Sequence, residues 1–310
     1  MAKVLITGGA GYIGSVLAPM LLSEGHEVTL FDSFNFGALP LLGFSAHPKL
    51  SVIKGDVRDA PAVAKVVKDH DWVLHLAAIV GYPACAADPH LSVTTNVDGT
   101  RNVLDAMGRG QRLIFASTGS TYGKVLGVAT EETPIAPLTL YGKTKRDAEM
   151  LIRDSNIDHI ILRFATVFGS SPRMRIDLLI NDFVYQALHN RQIVLFEGHF
   201  RRTFLHSTDA AAIYPFALEH FDAMRGNVYN VGDESMNYTK RDIALKIKES
   251  VDFYLHEAQV GTDPDQRDYE VDYSRLKALG FRAKVDLDDG IKELVKILRV
   301  MTITNPLRNA

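Results

Sequence analysis

Short apolar runs rich in β-branched residues alternate with stretches of helical periodicity through the first half of this chain, and that alternation restricts the fold more than any other feature. Lys3 to Thr7, Glu27 to Phe31, Leu50 to Lys54, Trp72 to Leu76, Arg112 to Ala116 and His159 to Phe164 read as strands. Between them, Ile13 to Ser23, Ala60 to Asp69, Leu91 to Met107 and Leu140 to Asp154 read as helices. Strands that are apolar along nearly their whole length are covered on both faces. The expectation is therefore an α/β architecture with a doubly wound parallel sheet and right-handed crossovers. A ligand then belongs at the strand C-termini, where the winding reverses.

After Phe164 the pattern loosens into a Ser170-Ser171-Pro172 turn, a helical stretch from Ile176 to His189 and a short strand near Ile193 to Phe196. Val228 to Val231 reads as a late strand returning to the sheet, and Asp288 to Val300 as a helix of a smaller lobe. With 310 residues, the chain exceeds the size at which a single core stops growing. We expect a first domain over 1–168, with return segments around 203–231, and a smaller C-terminal lobe over 169–202 and 232–310.

A net charge of −3 gives no basic field that would recruit nucleic acid or an anionic membrane, so any phosphate must be met by a few local donors. The lone cysteine, Cys85, excludes an intramolecular disulfide framework and leaves no thiolate metal site, which fits a cytoplasmic setting and no metal. The first apolar run, about five residues long, is too short for a signal-peptide core, and no stretch approaches the ~20 apolar residues of a membrane span.

The first strand ends in Thr7-Gly8-Gly9-Ala10-Gly11-Tyr12-Ile13-Gly14, and a helical pattern follows directly. Glycine suits Gly8, Gly11 and Gly14 because the turn is tight and a pyrophosphate must approach the backbone, with Tyr12 and Ile13 opening the helix whose N-terminus favours the anion. This is the turn of a Rossmann-type dinucleotide site; the bland alternative is a strand-to-helix turn without a ligand. The second strand ends at Asp32, eighteen positions past Gly14, where a carboxylate accepts from an adenosine ribose and repels a 2′-phosphate. NAD is thus favoured over NADP, unless Asp32 merely starts a turn. Asp56 and Val57, after the third strand, are placed to face the adenine, with helix capping the alternative for Asp56.

Tyr141 and Lys145 lie four apart at the start of a predicted helix, hence on one face. A phenol with an unperturbed pKa near ~10 is a poor base, but a neighbouring ammonium stabilises the phenolate, which can then take the proton of a sugar hydroxyl. The polar run Ser117-Thr118-Gly119-Ser120-Thr121-Tyr122-Gly123 at the end of the fifth strand supplies hydroxyls beside it.

Together these elements resemble the extended short-chain dehydrogenase/reductase family, the NAD-dependent epimerase/dehydratase group, with nucleotide-sugar 4-epimerases of the UDP-glucose 4-epimerase type among its members. The resemblance implies Thr118, four positions before Tyr122, as the catalytic hydroxyl, with Ser117 the substitute. It implies cofactor contacts from Leu76, Ala77 and Ala78 in His75-Leu76-Ala77-Ala78 and from Asn96, and assigns Lys145 to the nicotinamide ribose. Leu162-Arg163-Phe164-Ala165-Thr166-Val167-Phe168-Gly169 is similar to a family segment whose asparagine contacts the substrate diphosphate. Thr166 stands at that position here, and Asn181 is a candidate for the phosphate role, or else a capping or solvated side chain. Arg202 and Arg267 resemble family arginines that grip the diphosphate, a task suited to the planar guanidinium fork; for either one, a surface salt bridge is the alternative.

Family 4,6-dehydratases carry an acidic pair directly after the catalytic Thr, where this chain has Gly119 and Ser120, the latter a candidate substrate contact. Dehydration is disfavoured, which leaves reversible oxidation at one sugar carbon. The expectation is an NAD-dependent nucleotide-sugar epimerase working through a keto intermediate. The alternatives are an NAD-linked nucleotide-sugar dehydrogenase or ketoreductase and, remotely, a non-catalytic dinucleotide-sensing regulator. The resemblance further implies a homodimer built on the helices at 91–107 and 140–154, and a nucleotide-diphosphate sugar as the small-molecule partner, with no nucleic acid or membrane partner.

Overall fold

The computed structural model describes residues 1–125, 127–258 and 270–303. Seven parallel strands form the central sheet: β1 (Lys3–Thr7), β2 (Glu27–Asp32), β3 (Leu50–Lys54), β4 (Trp72–His75), β5 (Arg112–Thr118), β6 (Asp158–Phe164) and β7 (Asn227–Val231). Their spatial order is β7-β6-β5-β4-β1-β2-β3, so the winding reverses between β1 and β4. β1 lies at that switch, with Leu5 paired to Thr29 on one side and Val73 on the other.

Alternation along the strands sends successive side chains to opposite helix layers. Val4 and Ile6 face a core that includes Leu17 and Leu21 of helix α1 (Gly14–Ser23). Leu5 faces the other layer, with Val63, Val66 and Val67 of α2 (Ala60–Val67), Val103 of α3 (Gly99–Ala106) and Ala148 and Ile152 of α4 (Leu140–Arg153). β3 forms the sheet edge, which leaves Val52 and Ile53 exposed despite their strand-forming chemistry.

The expected helix over 91–107 is divided into Pro89–Val93, a wide π-type turn at Thr94–Asp98 and α3. The turn carries Asn96 inward, where it is buried and its side chain is bonded to the backbone of Ile79. The expected helix from Ile176 begins later, as α5 (Leu179–His189).

Beyond β6, Thr166–Phe168 pairs with Arg201–His206 in a small three-stranded sheet closed by Asn237–Thr239. A second apolar cluster gathers Phe168, Ile180, Val184, Phe204, Ile243 and Leu294. The segment 169–175 lies across the first turn of α1: the Ser171 hydroxyl donates to the Tyr12 carbonyl at 2.7 Å, and the Tyr12 hydroxyl donates to the Gly169 carbonyl at 2.6 Å. That docking shapes one wall of the cleft above the switch point.

Candidate active site

The cleft opens at the C-terminal ends of β1 and β4 and encloses about 510 Å³, within the range of small-molecule sites. Its floor is the glycine-rich turn. Gly8 adopts φ +72° and donates to the Phe31 carbonyl at 2.9 Å; a Cβ there would stand 2.7 Å from the Ala77 nitrogen. A Cβ on Gly14 would meet the Gly8 carbonyl at 2.6 Å. Any side chain at either position would therefore push apart the strand end, the helix start and the β4 loop. No side chain among the described residues caps α1; its Ser15, Val16 and Leu17 amides donate to the Gly11 and Ile13 carbonyls, so the helical bonding already begins in the glycine-rich turn that faces the cleft.

Gly8, Gly11, Tyr12, Ile13, Gly14, Asp32, Asp56, Val57, Leu76, Ala77 and Ala78 all line this cleft. Asp32 is oriented from both sides, accepting from the Ala10 amide at 3.0 Å and the Phe34 amide at 2.8 Å. Burial raises its pKa, and the two amides and the Arg173 charge oppose that rise. Asp56 is held by Arg58, whose Nη2 lies 2.6 Å from Oδ2, and this hydrogen bond lowers its pKa. The capping alternative falls to Asp59 instead, which accepts from the Ala62 amide as the N-cap of α2.

Asn96 is not on the cleft surface. Its side chain accepts from the Ile79 amide at 2.8 Å and donates to the Ile79 carbonyl and to Thr144, each at 3.0 Å. It thereby fixes the loop after β4 to α4. His75 is likewise internal, bonded to Thr7 at 2.7 Å and Thr100 at 3.0 Å, and desolvation followed by the Lys145 charge pushes its pKa down to about 3.

Thr118, Ser120, Tyr141, Lys145 and Thr166 line the cleft together. The Thr139 hydroxyl caps α4 by accepting from the Gly142 amide at 3.1 Å, which sets the helix start and hence the placement of Tyr141. Gly142 matters for another reason: a Cβ there would come 2.7 Å from the Ser120 carbonyl, so the residue after the tyrosine must be small for α4 to reach the β5 turn. Lys145 is 3% exposed, its Nζ 4.4 Å from the Phe115 ring centroid, and desolvation pushes its pKa down to about 7 against the pull of Glu149 and Cys85.

The two candidate hydroxyls are separated by their bonding. Ser117 donates to Glu149, which also takes Arg163 Nη2 at 2.7 Å in a buried ion pair. Thr118 instead bonds to Ser120, 3.2 Å from both its Oγ and its amide, at the cleft surface. Arg163 also donates to the Tyr122 hydroxyl at 3.1 Å, which itself donates to Asn230 Oδ1 at 2.6 Å.

Two expected substrate contacts are placed elsewhere. Asn181 is fully buried and outside the cleft lining, accepting from the Gly169 amide at 3.0 Å and donating to the Arg175 carbonyl at 2.8 Å. Its amide is spent on the 169–175 segment, so it acts on a ligand only by shaping that wall. Arg202 is 3% exposed on Arg201–His206, also outside the lining, and its Nη1 donates to the Arg201 carbonyl at 3.1 Å. Arg267 lies outside the described residues. The cleft instead receives Arg173 and Arg175 from the 169–175 segment and Phe36 from the loop after β2. The sequence reading missed both; the two arginines directly after the Ser-Ser-Pro turn were the signal available for them.

The family model described as NAD dependent epimerase/dehydratase matches residues 4–232. A low-salt glycan biosynthesis protein, Agl12, from Haloferax volcanii is 30% identical over 94% of this chain and 97% of its own length. A putative UDP-glucose 4-epimerase from Methanocaldococcus jannaschii is 28% identical over 96% and 98% of the two chains. Relatives named dTDP-glucose 4,6-dehydratase and UDP-glucuronic acid decarboxylase match at similar identity. Among solved structures, a UDP-glucuronic acid 4-epimerase variant from Bacillus cereus, in complex with a fluorinated UDP-glucuronic acid and NAD, superposes with a TM-score of 0.87. It is 26% identical and covers 96% of this chain and 98% of its own.

Proposed function

The chain belongs to the NAD-dependent epimerase/dehydratase family, and from that premise we propose that it is a nucleotide-sugar 4-epimerase. The observation that carries this reading is the convergence of Thr118, Tyr141 and Lys145 on one cleft whose other end is the glycine-rich turn and Asp32. The carboxylates among the cleft-lining residues, Asp32 and Asp56, follow β2 and β3, across β1 from Thr118. No acid of that lining stands beside the hydroxyl and phenol, which favours single-carbon chemistry over removal of water.

The glycine turn, the uncapped start of α1 and the oriented Asp32 fit a dinucleotide, with Gly8 to Gly14 at its diphosphate and Asp32 at its adenosine ribose. NAD held there would supply the hydride acceptor and donor for reversible oxidation at the sugar carbon. Tyr141 takes the proton of the reacting hydroxyl and gives it back, while Lys145, one turn along the same face, stabilises the phenolate by its charge. Thr118 and Ser120 hold the sugar oxygen against the phenol, and Thr166 contacts the substrate from the opposite wall. Ile79, Val80, Ala84 and Leu91 give the cleft an apolar side that excludes water from the reacting carbon.

We assign dinucleotide binding to residues 1–168 with the return segment 203–231, and substrate binding to 169–202 and 232–310. No helix among the described residues is long and apolar enough to cross a membrane. The lone, buried Cys85 suits a reducing cytoplasm. A homodimer through the helices around 91–107 and α4 is supported by exposed Val93 and Met150 on them; sedimentation as a monomer at micromolar concentration would refute it.

The test of the activity is incubation with UDP-, GDP-, dTDP- and CDP-sugars, with and without added NAD, following reduced nicotinamide absorbance and product stereochemistry. A new epimer without net reduced cofactor is expected. Stoichiometric reduced cofactor with an oxidised sugar would instead make the protein a dehydrogenase.

A further inference from the structure

Arg173 belongs to the cofactor end of the cleft, although it comes from a part of the chain expected to serve the substrate. Its guanidinium lies 3.8 Å from the centroid of the Phe36 ring, and the residue is 7% exposed. Phe36 is four positions past Asp32, on the loop that leaves β2. The backbone of Arg173 is tied to the glycine-rich turn through Ser171, whose hydroxyl accepts from the Arg173 amide at 3.2 Å and donates to the Tyr12 carbonyl at 2.7 Å. Ser171 also lies 3.1 Å from the Ser15 hydroxyl in the first turn of α1. Both anchors, Phe36 and the Tyr12 turn, flank the place where a dinucleotide's diphosphate meets its adenosine ribose.

The other cleft-lining cations are committed differently. Arg58 is paired with Asp56 at 2.6 Å, Arg175 with Asp177 at 2.5 Å, and Lys145 sits at the catalytic end beside Phe115. Arg173 donates from Nη1 to the Met174 carbonyl at 3.5 Å and has the carboxylate of Asp32, already oriented by two backbone amides, within electrostatic reach.

We propose that Arg173 is a cofactor-binding residue: its guanidinium grips the NAD diphosphate at the glycine-rich turn and, stacked on Phe36, closes the adenosine end of the cleft. A diphosphate oxygen pair matches the planar fork, and the aromatic face holds the fork in place before the ligand arrives. The α1 N-terminus supplies only partial charge, so a full cation brought in from across the cleft completes the neutralisation. The consequence is slow cofactor release, which an epimerase needs if one NAD is to serve successive turnovers. The proposal rests on the cofactor and not on the sugar chemistry, so it stands or falls separately from the epimerase reading.

The experiment is calorimetric titration of the cofactor-free protein with NAD, ADP-ribose and UDP, comparing the natural chain with Arg173→Ala, Arg173→Gln and Arg173→Lys. Arg173→Ala and Arg173→Gln are expected to weaken NAD and ADP-ribose about ten- to a hundredfold, the scale of a lost charge-assisted hydrogen bond, and to leave UDP within about twofold. Arg173→Lys recovers part of the loss. Because Arg173→Ala also removes the stem over Phe36, the melting temperature is read in parallel, and Arg173→Gln decides the question if the alanine variant fails to fold. NAD affinity within about twofold of the natural chain in a folded variant would overturn the proposal. So would a loss of UDP affinity equal to or larger than the loss for NAD, which would place Arg173 on the substrate.

Discussion

Glu149 of α4 and Arg163 of β6 form a buried ion pair, with Arg163 Nη2 2.7 Å from Glu149 Oε2 and side-chain exposures of 2% and 0% for the arginine and glutamate. The pair joins α4 to β6, and through Ser117 it also joins both to β5, so it ties together the three elements that carry or flank Tyr141, Lys145 and Thr118. Replacing one partner strands a charge in the interior. Glu149→Gln is expected to lower unfolding stability by about 3–5 kcal/mol, whereas the double change Glu149→Met with Arg163→Met costs much less. Urea denaturation of the three proteins checks this, and equal losses in the single and double variants would contradict it.

The division of labour between the adjacent hydroxyls is directly testable. Thr118→Ala is expected to reduce turnover and Thr118→Ser to retain most of it, while Ser117→Ala chiefly lowers stability, because its hydroxyl serves Glu149. Tyr141→Phe is expected to cost about 10²- to 10⁴-fold in turnover, the scale of general acid-base catalysis, with NAD affinity within about twofold. Unaltered turnover in Tyr141→Phe would show that another group moves the proton.

Lys145 makes stability depend on pH in a defined direction. Burial depresses its folded-state pKa to about 7, below the unfolded value near ~10.4. The cost of keeping the ammonium inside is complete below that folded value and is relieved as pH rises toward the unfolded one. The natural protein, free of cofactor, therefore gains on Lys145→Met by up to about 1.4 kcal/mol per pH unit above pH 7. Denaturation of both proteins at about pH 7 and pH 9 reads the difference, and a difference that does not shift in favour of the natural protein would show a lysine charged throughout that window.

Asp32, at the end of β2, is expected to set cofactor choice. Asp32→Ser is expected to weaken NAD about ten- to a hundredfold, because two ribose hydroxyls lose a charged acceptor, and to improve NADP relative to NAD. Competitive titration with the two cofactors checks it. An unchanged preference would mean that the ribose is read elsewhere in the cleft.

Much of the sheet was legible in advance. Five of the six early strands are largely apolar runs buried between two helix layers, β3 at the exposed edge being the exception, and the observed limits of all six differ from the expected ones by no more than two residues. The helix expected over 91–107 is present, but its π-type turn at Thr94–Asp98 was not legible, because the Asn96 side chain there bonds to the Ile79 backbone seventeen positions away. Asn181 and Arg202 failed to reach the cleft on similar grounds. Each is a polar side chain in a plausible pattern, but its polar atoms meet partners inside the protein before they meet a ligand. Phe36 gave no signal at all, because an aromatic residue in an irregular loop has no period to declare its face.

By itself the amino-acid sequence determined what depends on neighbours close along the chain. That covers the strand and helix succession, the glycine turn with Asp32 eighteen residues beyond it, and the four-residue spacing that puts Tyr141 and Lys145 on one helical face. Only the tertiary structure decided that the Ser117 hydroxyl is taken by Glu149 while Thr118 bonds to Ser120, and that Arg173 and Arg175, rather than Asn181 and Arg202, line the cleft. Those outcomes turn on contacts such as Ser171 to Tyr12, 159 positions apart, and on Glu149 reaching Ser117 and Arg163 from another helix layer. Spacing fixes periodicity within an element, but the competition of a polar group for its partners is settled only when the elements pack together.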